Sequence, residues 1–234
     1  MQHKEQSRRE NTHRQHDRKR LEKVVILDAL TVAHKGIDIR VIHLYLLAVV
    51  GLVGVDFDDI KKTILVTHAD VDHCGLLPMF DKIIASSKTA NCLQREYEGK
   101  NGYREENPLH RPYINICKIL TSYKAVNPEK ITAMWNDVVN PSEPLTQIGF
   151  FDFEELHFEV YEGKGGHLPG EIVLIDYSKH IAITGDVYIN MHGLTAEQAE
   201  YNQYAPILMT SVDTDSKMCL EERKAIMQRL GVGQ

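Results

Sequence analysis

The sequence predicts an α/β fold, built as one domain behind a polar tail. Two β-branched runs, Val24 to Leu27 and Thr63 to Val66, have the composition of short buried strands. The apolar segment between them, Ile37 to Val53, has the length of a helix. A strand–helix–strand unit of this kind is a building block of α/β folds. At 234 residues, with 43% apolar and 26% charged residues, the chain can bury the core of one soluble domain.

Residues 1–20 are predicted to form a disordered basic tail, and residues 21–234 the folded domain. The tail contains seven Lys or Arg residues and three Asp or Glu residues, so its net charge is +4 within a chain whose total is -6. It has almost no apolar residues that could pack on the domain. The acidic remainder argues against a nucleic-acid-binding face, so nucleic acid is not expected as a partner, although the tail itself could contact RNA or an acidic surface.

Targeting and cysteine patterns favour a cytoplasmic protein without a membrane partner. No secretory signal is found at the start of the chain. The longest apolar run, Val41 to Val55, is short for a membrane span and contains His43 and Tyr45. The four cysteines form no CxxC pair. Cys74 could be reactive, but a small packing residue is the preferred interpretation. Oligomeric state is left open.

Local patterns predict the elements of the middle of the chain. Leu76 to Phe80 could begin a helix, Lys82 to Ser86 reads as a short strand, and Ser87 is a suitable N-cap for a helix that continues to about Tyr97. The charged segment Gly99 to Pro112 is predicted to be a loop. Residues 113–140 give no clear pattern, and this insert receives no assignment.

The last third of the chain has the stronger β signal. Leu156 to Tyr161 alternates between apolar and polar residues, as a half-exposed strand does. Ile172 to Asp176 and His180 to Thr184 are predicted to form a hairpin. Apolar residues from about Met218 to Leu230 have the spacing of an amphipathic helix.

The stretch from Thr67 to Gly75, Thr-His-Ala-Asp-Val-Asp-His-Cys-Gly, is the strongest candidate for a functional site. It places four side chains that can bind metal within six residues, directly after a predicted strand; these are His68, Asp70, Asp72 and His73. Imidazole nitrogens and carboxylate oxygens are the ligands of divalent transition metals, and one tight loop can converge several of them. The sequence therefore predicts a metal site here.

Two later motifs repeat this chemistry. Gly166-His167-Leu168-Pro169-Gly170 lies in a glycine-rich loop, and Thr184-Gly185-Asp186 ends the predicted hairpin. In order, the three motifs resemble those of the metallo-β-lactamase-fold hydrolases, which have the pattern T-H-x-H-x-D-H, then G-H-T-P-G, then G-D.

The resemblance implies an αβ/βα sandwich with the metal site at one edge between two sheets. It implies that His68 and His167 hold one metal, that Asp72 and His73 hold a second, and that Asp186 bridges them. It also implies a bridging hydroxide that attacks a carbonyl or phosphoryl centre of a small-molecule substrate, because two cations lower the pKa of a shared water. Asp72 is in addition assigned a catalytic role. The expected cofactors are two divalent ions, zinc first, with iron or manganese as alternatives.

The sequence departs from the family pattern at three places. Asp70 replaces the second histidine of the first motif and could itself be a ligand. No clear match exists for the closing histidine: His192 follows Asp186 too soon, and Asp213 and Asp215 are equally good as helix N-caps. The family usually has several strands before the strand that ends at Asp28, and here only the basic tail precedes it, so the domain is predicted to be shortened at both ends. Asp28 itself is expected to hydrogen-bond the motif loop.

Two other functions stay open. The departures make a catalytically weak or inactive metal-binding relative credible, and an interaction module built on the same fold is the third class. Esters, thioesters, lactones and phosphoesters all remain candidate substrates, because a fold does not determine the substrate.

Overall fold

The computed structural model describes residues 24–27, 61–138, 141–188, 195–197 and 213–231. The predicted tail, the predicted helix from Ile37 to Val53, Asp28 and His192 lie outside these residues. The described strands are β1 (Val24–Leu27), β2 (Lys62–Leu65), β3 (Lys82–Ser86), β4 (Ile131–Trp135), β5 (Leu145–Phe153), β6 (Leu156–Gly163), β7 (Ile172–Asp176) and β8 (Ile181–Ile183). The described α-helices are α1 (Val71–Cys74), α2 (Ser87–Tyr97), α3 (Tyr103–Glu106), α4 (Arg111–Leu120) and α5 (Ser216–Leu230).

The first sheet is parallel and contains β1, β2, β3 and β4 in that order. Isoleucines pair across all four strands, Ile26 with Ile64, Ile64 with Ile83, and Ile83 with Ile131. Stiff β-branched side chains suit a parallel sheet, and its central strands β2 and β3 are largely buried. The predicted strands at Val24 to Leu27, Thr63 to Val66 and Lys82 to Ser86 are thus found, within one residue at each end.

The second sheet is antiparallel, in the order β5, β6, β7, β8. β7 pairs with β6 on one side and with β8 on the other, and all five of its residues are buried. The predicted hairpin of β7 and β8 is confirmed.

Side chains alternate between the two faces of each sheet, which builds a core of several layers. On one face of the first sheet, Ile64 and Ile83 pack with Leu93 of α2. On its other face, Leu65 packs against Leu174 of the second sheet. This inner layer between the sheets also contains other apolar residues of both sheets: Ile84, Trp135, Phe151, Phe158, Val160 and Ile172.

The outer face of the second sheet is covered by α5. Val173 and Ile175 alternate with the inward-facing Leu174 and pack against Cys219 and Ile226 of this helix. The layer order is therefore helix, sheet, sheet, helix, and the predicted αβ/βα sandwich is confirmed.

The predicted loop from Gly99 to Pro112 is wrong, because this segment contains α3 and the start of α4. Two of its charged residues, Arg104 and Glu105, are buried, and Glu105 accepts hydrogen bonds from Gly102 N (2.8 Å) and from Lys118 Nζ (2.8 Å). Pro112 occupies the first turn of α4, where a proline costs no hydrogen bond. The unassigned insert also contributes β4 to the edge of the first sheet.

The start of α2 differs from the prediction by one residue. Ser86, not Ser87, is the N-cap, and its Oγ accepts a hydrogen bond from Thr89 N (3.2 Å). The same hydroxyl donates to Gly170 O (2.6 Å), which ties α2 to the glycine-rich loop. No helix in the described ranges is long and apolar enough to cross a membrane.

Candidate metal centre

Three loops meet at one edge of the sandwich. Ile172 N donates to Thr67 O (3.0 Å), so the second residue after the end of β2 is joined directly to the start of β7. The loop after β8 reaches the same edge, where a Cβ on Gly185 would lie 3.1 Å from Thr67 Oγ1. The three motifs that are far apart in sequence therefore converge where the two sheets meet.

The first motif forms a tight turn that continues as α1. Asp70 is the N-cap of this helix, and its Oδ1 accepts a hydrogen bond from Val71 N (2.8 Å). One helical turn then carries Asp72 and His73 to the cluster. Cys74 is buried, and burial raises the pKa of its thiol well above the usual value, so it is the packing residue that was preferred.

His68 is the centre of the cluster and is fully buried. Its Nδ1 lies 3.0 Å from Thr67 Oγ1 and 3.3 Å from Glu171 Oε1, whereas its Nε2 has no hydrogen-bond partner among the described residues. Burial, together with the nearby histidines His73 and His167, lowers the pKa of His68 well below 6.5. The ring is therefore neutral at pH 7, which is the form that binds metal.

His68, His73 and Asp186 form a first group in which one ligand atom of each lies within 4.8 Å of the others. The ring centroids of the two histidines are 4.2 Å apart, and His73 Nε2 lies 3.4 Å from Asp186 Oδ1. Burial would raise the pKa of Asp186, but its hydrogen bond to His73 and its electrostatic attraction to that histidine outweigh burial and lower that pKa. Two imidazoles and an ionised carboxylate fit zinc, ferrous iron or manganese.

His68, His167 and Glu171 form a second group of the same size. Glu171 was not among the predicted site residues. Its Oε1 accepts hydrogen bonds from Asp186 N (2.6 Å) and Val187 N (3.2 Å), while its buried Oε2 has no partner in the part of the chain that is described. Burial raises the pKa of Glu171 to about 8.

Gly185 is required by the close approach of Glu171. Its φ is 52°, and a Cβ at this position would lie 2.4 Å from Glu171 Oε1. The Gly-Asp pair thus lets the buried carboxylate accept the backbone N–H groups that orient Asp186.

His167 is oriented by residues at the start of α5 and within it. Its Nδ1 lies 3.1 Å from Asp213 Oδ1, and Arg223 Nη2 contacts both oxygens of Asp213 (3.0 and 3.1 Å). The alternative of a helix N-cap applies only to Asp215, whose Oδ1 accepts from Lys217 N (3.1 Å) and Met218 N (3.0 Å). Asp213 is buried and holds a histidine that could bind metal, an arrangement common around metal sites.

Asp70 and Asp72, which were predicted as ligands, are in neither group. The Oδ2 of Asp70 lies 2.6 Å from Nη2 of Arg104, a buried residue of α3 that the sequence did not suggest. Asp72 Oδ2 lies 3.8 Å from His73 Nε2, and 43% of the Asp72 side chain is exposed. Asp72 therefore lies beside the first group, at the rim that solvent reaches.

The donor set fits a divalent cation. His68 Nε2 and Glu171 Oε2 are buried polar atoms without a hydrogen bond in the described part of the chain, and such atoms are costly unless something else pairs with them. Both belong to residues of the two groups. A cation held by His68, His73 and Asp186 would satisfy His68 Nε2.

Comparisons with known proteins give matches only among solved structures. No family model matches the sequence, and no curated protein matches it. The hydrolase AbOPH of the β-lactamase superfamily is 18% identical, with a TM-score of 0.44 over 78% of this chain and 57% of that one. The dizinc quorum-quenching lactonase AidC, solved with its product, is 15% identical, with a TM-score of 0.41 over 79% of this chain and 58% of that one.

A third solved structure is the metallo-β-lactamase family protein TTHA1429 of Thermus thermophilus. It is 14% identical, with a TM-score of 0.40 over 79% of this chain and 66% of that one. The chain thus spans 57 to 66% of the length of these three proteins. The layers described above, with the motif residues gathered at the edge between the sheets, are those that the sequence resemblance implied. In its described residues, the chain has the helix, sheet, sheet, helix layers of an αβ/βα sandwich.

Proposed function

We propose that the chain is a metal-dependent hydrolase of a small-molecule ester, thioester, lactone or phosphoester. The observation that carries the proposal is the buried convergence of His68, His73 and Asp186, with His68 Nε2 left without a hydrogen bond among the described residues. These three side chains would hold at least one divalent ion. When bound, such an ion lowers the pKa of a water molecule and stabilises negative charge on a carbonyl or phosphoryl oxygen.

The surrounding residues keep these ligands in place. Glu171 accepts the N–H groups of Asp186 and Val187 and so holds the turn that presents the Asp186 carboxylate. The Thr67 hydroxyl, 3.0 Å from His68 Nδ1, helps to orient the His68 ring. Side chains that are positioned by their neighbours bind metal with less loss of conformational entropy.

Asp72 is the carboxylate that could handle protons during the reaction. It lies next to His73, and unlike Asp186 it is reached by solvent. Burial of part of its side chain raises its pKa from 3.8, which makes it a better proton acceptor than an ordinary aspartate. This assignment retains the catalytic role that the sequence predicted for Asp72.

The test begins with elemental analysis of purified protein and continues with model substrates. Hydrolysis of p-nitrophenyl acetate, a thioester, a lactone and bis-p-nitrophenyl phosphate is measured with zinc, manganese or ferrous iron, and after EDTA. We expect a metal-dependent rate with at least one substrate class, and its loss in His73→Ala. His157→Ala is the matched control, because this histidine is exposed and its ring pairs with Asp152, which is also exposed.

The outcomes separate the three functions considered. Bound metal without hydrolysis of any class would favour a catalytically inactive metal-binding relative. Absence of bound metal under all loading conditions would contradict the proposal and leave an interaction module as the better explanation.

A further inference from the structure

Arg104 lies between two residues that the sequence pattern assigns to one metal ion. Its side chain is buried, and its Nη2 is 2.6 Å from Asp70 Oδ2 and 3.1 Å from His167 Nε2. Asp70 stands at the place of the second histidine in the first motif, and His167 is the histidine of the second motif. A guanidinium therefore lies where these two side chains converge.

The contact with Arg104 uses the nitrogen of His167 that would bind a metal. A guanidinium only donates hydrogen bonds, so His167 Nε2 must be the acceptor. The proton of the neutral ring then lies on Nδ1, which donates to Asp213 Oδ1 (3.1 Å). Arg223 contacts both Asp213 oxygens and keeps that carboxylate in place. Both nitrogens of His167 are therefore engaged, and neither lone pair is left for a cation.

Asp70 is engaged in the same way. Its Oδ1 accepts the N–H of Val71 at the start of α1, and its Oδ2 accepts from Arg104. A carboxylate paired with a buried guanidinium gives up that partner only at a high cost, since the arginine would be left buried without its counter-charge. Asp70 accordingly belongs to neither group of converging ligands.

The two groups of candidate ligands are therefore unequal. The group of His68, His73 and Asp186 is complete without His167. The group of His68, His167 and Glu171 shares His68 with the first group. It also requires His167, whose Nε2 already accepts a hydrogen bond from Arg104. We infer that the site binds one divalent ion, at His68, His73 and Asp186, and that the guanidinium of Arg104 takes the place of a second cation.

This inference rests on the proposed metal-dependent function and makes it more specific. An arginine keeps its charge at all physiological pH values, and its planar fork matches a carboxylate. The site thus has one exchangeable cation and one cation that is part of the chain. In a hydrolase with this arrangement, Arg104 is a fixed positive charge next to the ion.

The experiment counts bound metal per chain. Metal-free protein is dialysed to equilibrium against zinc, and in parallel against manganese, and the bound ions are measured by mass spectrometry of the elements. The variants are Arg104→Ala and, as the matched control, Arg95→Ala. Arg95 supports the same segment, since its Nε donates to Asn101 O (3.2 Å) and its guanidinium pairs with Glu106, neither of which is a candidate ligand.

We expect one ion in the wild-type protein and one in Arg95→Ala. We expect two in Arg104→Ala, because Asp70 and His167, released from Arg104, could hold a second ion without sharing His68. Two ions in the wild-type protein would overturn the inference, as would a single ion in folded Arg104→Ala. No ion in the wild-type protein would instead overturn the proposed function itself.

A second pair of variants decides the case if Arg104→Ala does not fold. His167→Ala should still bind one ion with an affinity within about threefold of the wild type, because His167 accepts a hydrogen bond from Arg104 and is not a ligand of that ion. His73→Ala should bind none. Loss of the ion in folded His167→Ala would show that His167 is a ligand, and the inference would be wrong.

Discussion

Asp176, the last residue of β7, is a carboxylate whose hydrogen bonds link its charge to stability. It accepts from Ser178 Oγ (2.7 Å), His157 N (2.9 Å) and Lys179 N (3.0 Å), and these bonds lower its pKa from 3.8 to about 2. Because the folded-state pKa is below the unfolded one, the ionised carboxylate stabilises the fold above about pH 4, and this contribution is lost as the pH falls toward about 2.

Replacing Asp176 by Asn should therefore destabilise the protein in a pH-dependent way. The neutral amide offers a single acceptor oxygen, so Asp176→Asn should unfold at a lower denaturant midpoint than the wild type at neutral pH. The difference in denaturant midpoint between the two proteins should narrow from about pH 4 downward, as the wild-type carboxylate becomes protonated. Urea titrations at a series of pH values from about 7 to about 3 measure this difference. A difference that stays constant over this range would contradict the stabilising role of the ionised Asp176.

At the same scale, the sequence predicted the motif residues but not their partners. Four ligands could be proposed because each stands in a recognisable local motif, either just after a strand or in the glycine-rich loop; these are His68, His73, His167 and Asp186. Glu171 had a weaker signal, as a charged residue between the glycine-rich loop and a buried strand. Arg104 had none, because it is one of many charges in a segment that looked like a loop. The burial of Arg104 depends on residues that are distant in the sequence, so a local pattern does not reveal it.

Among the elements, the glycine-rich loop between β6 and β7 determines how α5 docks. The N–H groups of Gly165 and Gly166 both donate to Glu222 Oε1 (3.0 Å each), and Asp215 N donates to Gly166 O (2.8 Å). A Cβ on Gly166 would lie 2.2 Å from Cys219 N, so no side chain fits between the loop and the helix.

The Gly166→Ala variant should separate this loop from α5. We expect a loss of about 3 kcal/mol in the free energy of unfolding, because the clash is with backbone that cannot move alone. Gly99→Ala is the control: its φ is 74° but nothing lies within 4 Å, so it should cost only about 1 kcal/mol of backbone strain. Chemical denaturation of both variants gives the comparison, and equal losses would show that the helix adapts to the loop.

Elements with a strong local signal were predicted well, and those stabilised by pairing were not. Six strands and α5 have periodic or β-branched patterns, and their bounds agree with prediction to within about two residues; the strands are β1, β2, β3, β6, β7 and β8. α3 is a single turn held by Glu105 and its contacts with Gly102 and Lys118, which no periodicity reveals. The parallel β4 was missed because Met134 and its neighbours are partly exposed and look like a loop.

For the whole molecule, binding of the ion should add to stability. An ion that binds only the folded chain stabilises it by about 2.7 kcal/mol at a free concentration about one hundred times its Kd. For a chain of this size, that corresponds to a rise in Tm of about 5–10 °C. Differential scanning calorimetry of metal-free protein with and without zinc measures the rise, and EDTA should reverse it. The same rise in His73→Ala would mean that zinc stabilises the protein elsewhere.

The sandwich itself could be predicted because the three motifs, taken in order, resemble those of the metallo-β-lactamase-fold hydrolases, and that resemblance implies the fold. The contact that joins the two sheets could not be predicted, because the hydrogen bond between Ile172 N and Thr67 O links residues that are far apart in the sequence. The site is built on that contact.

Because the proposed ion would lie at the junction of the two sheets, it would also have a structural role. His68 follows the first sheet and Asp186 follows the second, so an ion bound to both ties the halves of the sandwich together. Without the ion, local separation of the sheets would be more frequent, and a protease added to the metal-free protein would reach backbone that is otherwise covered.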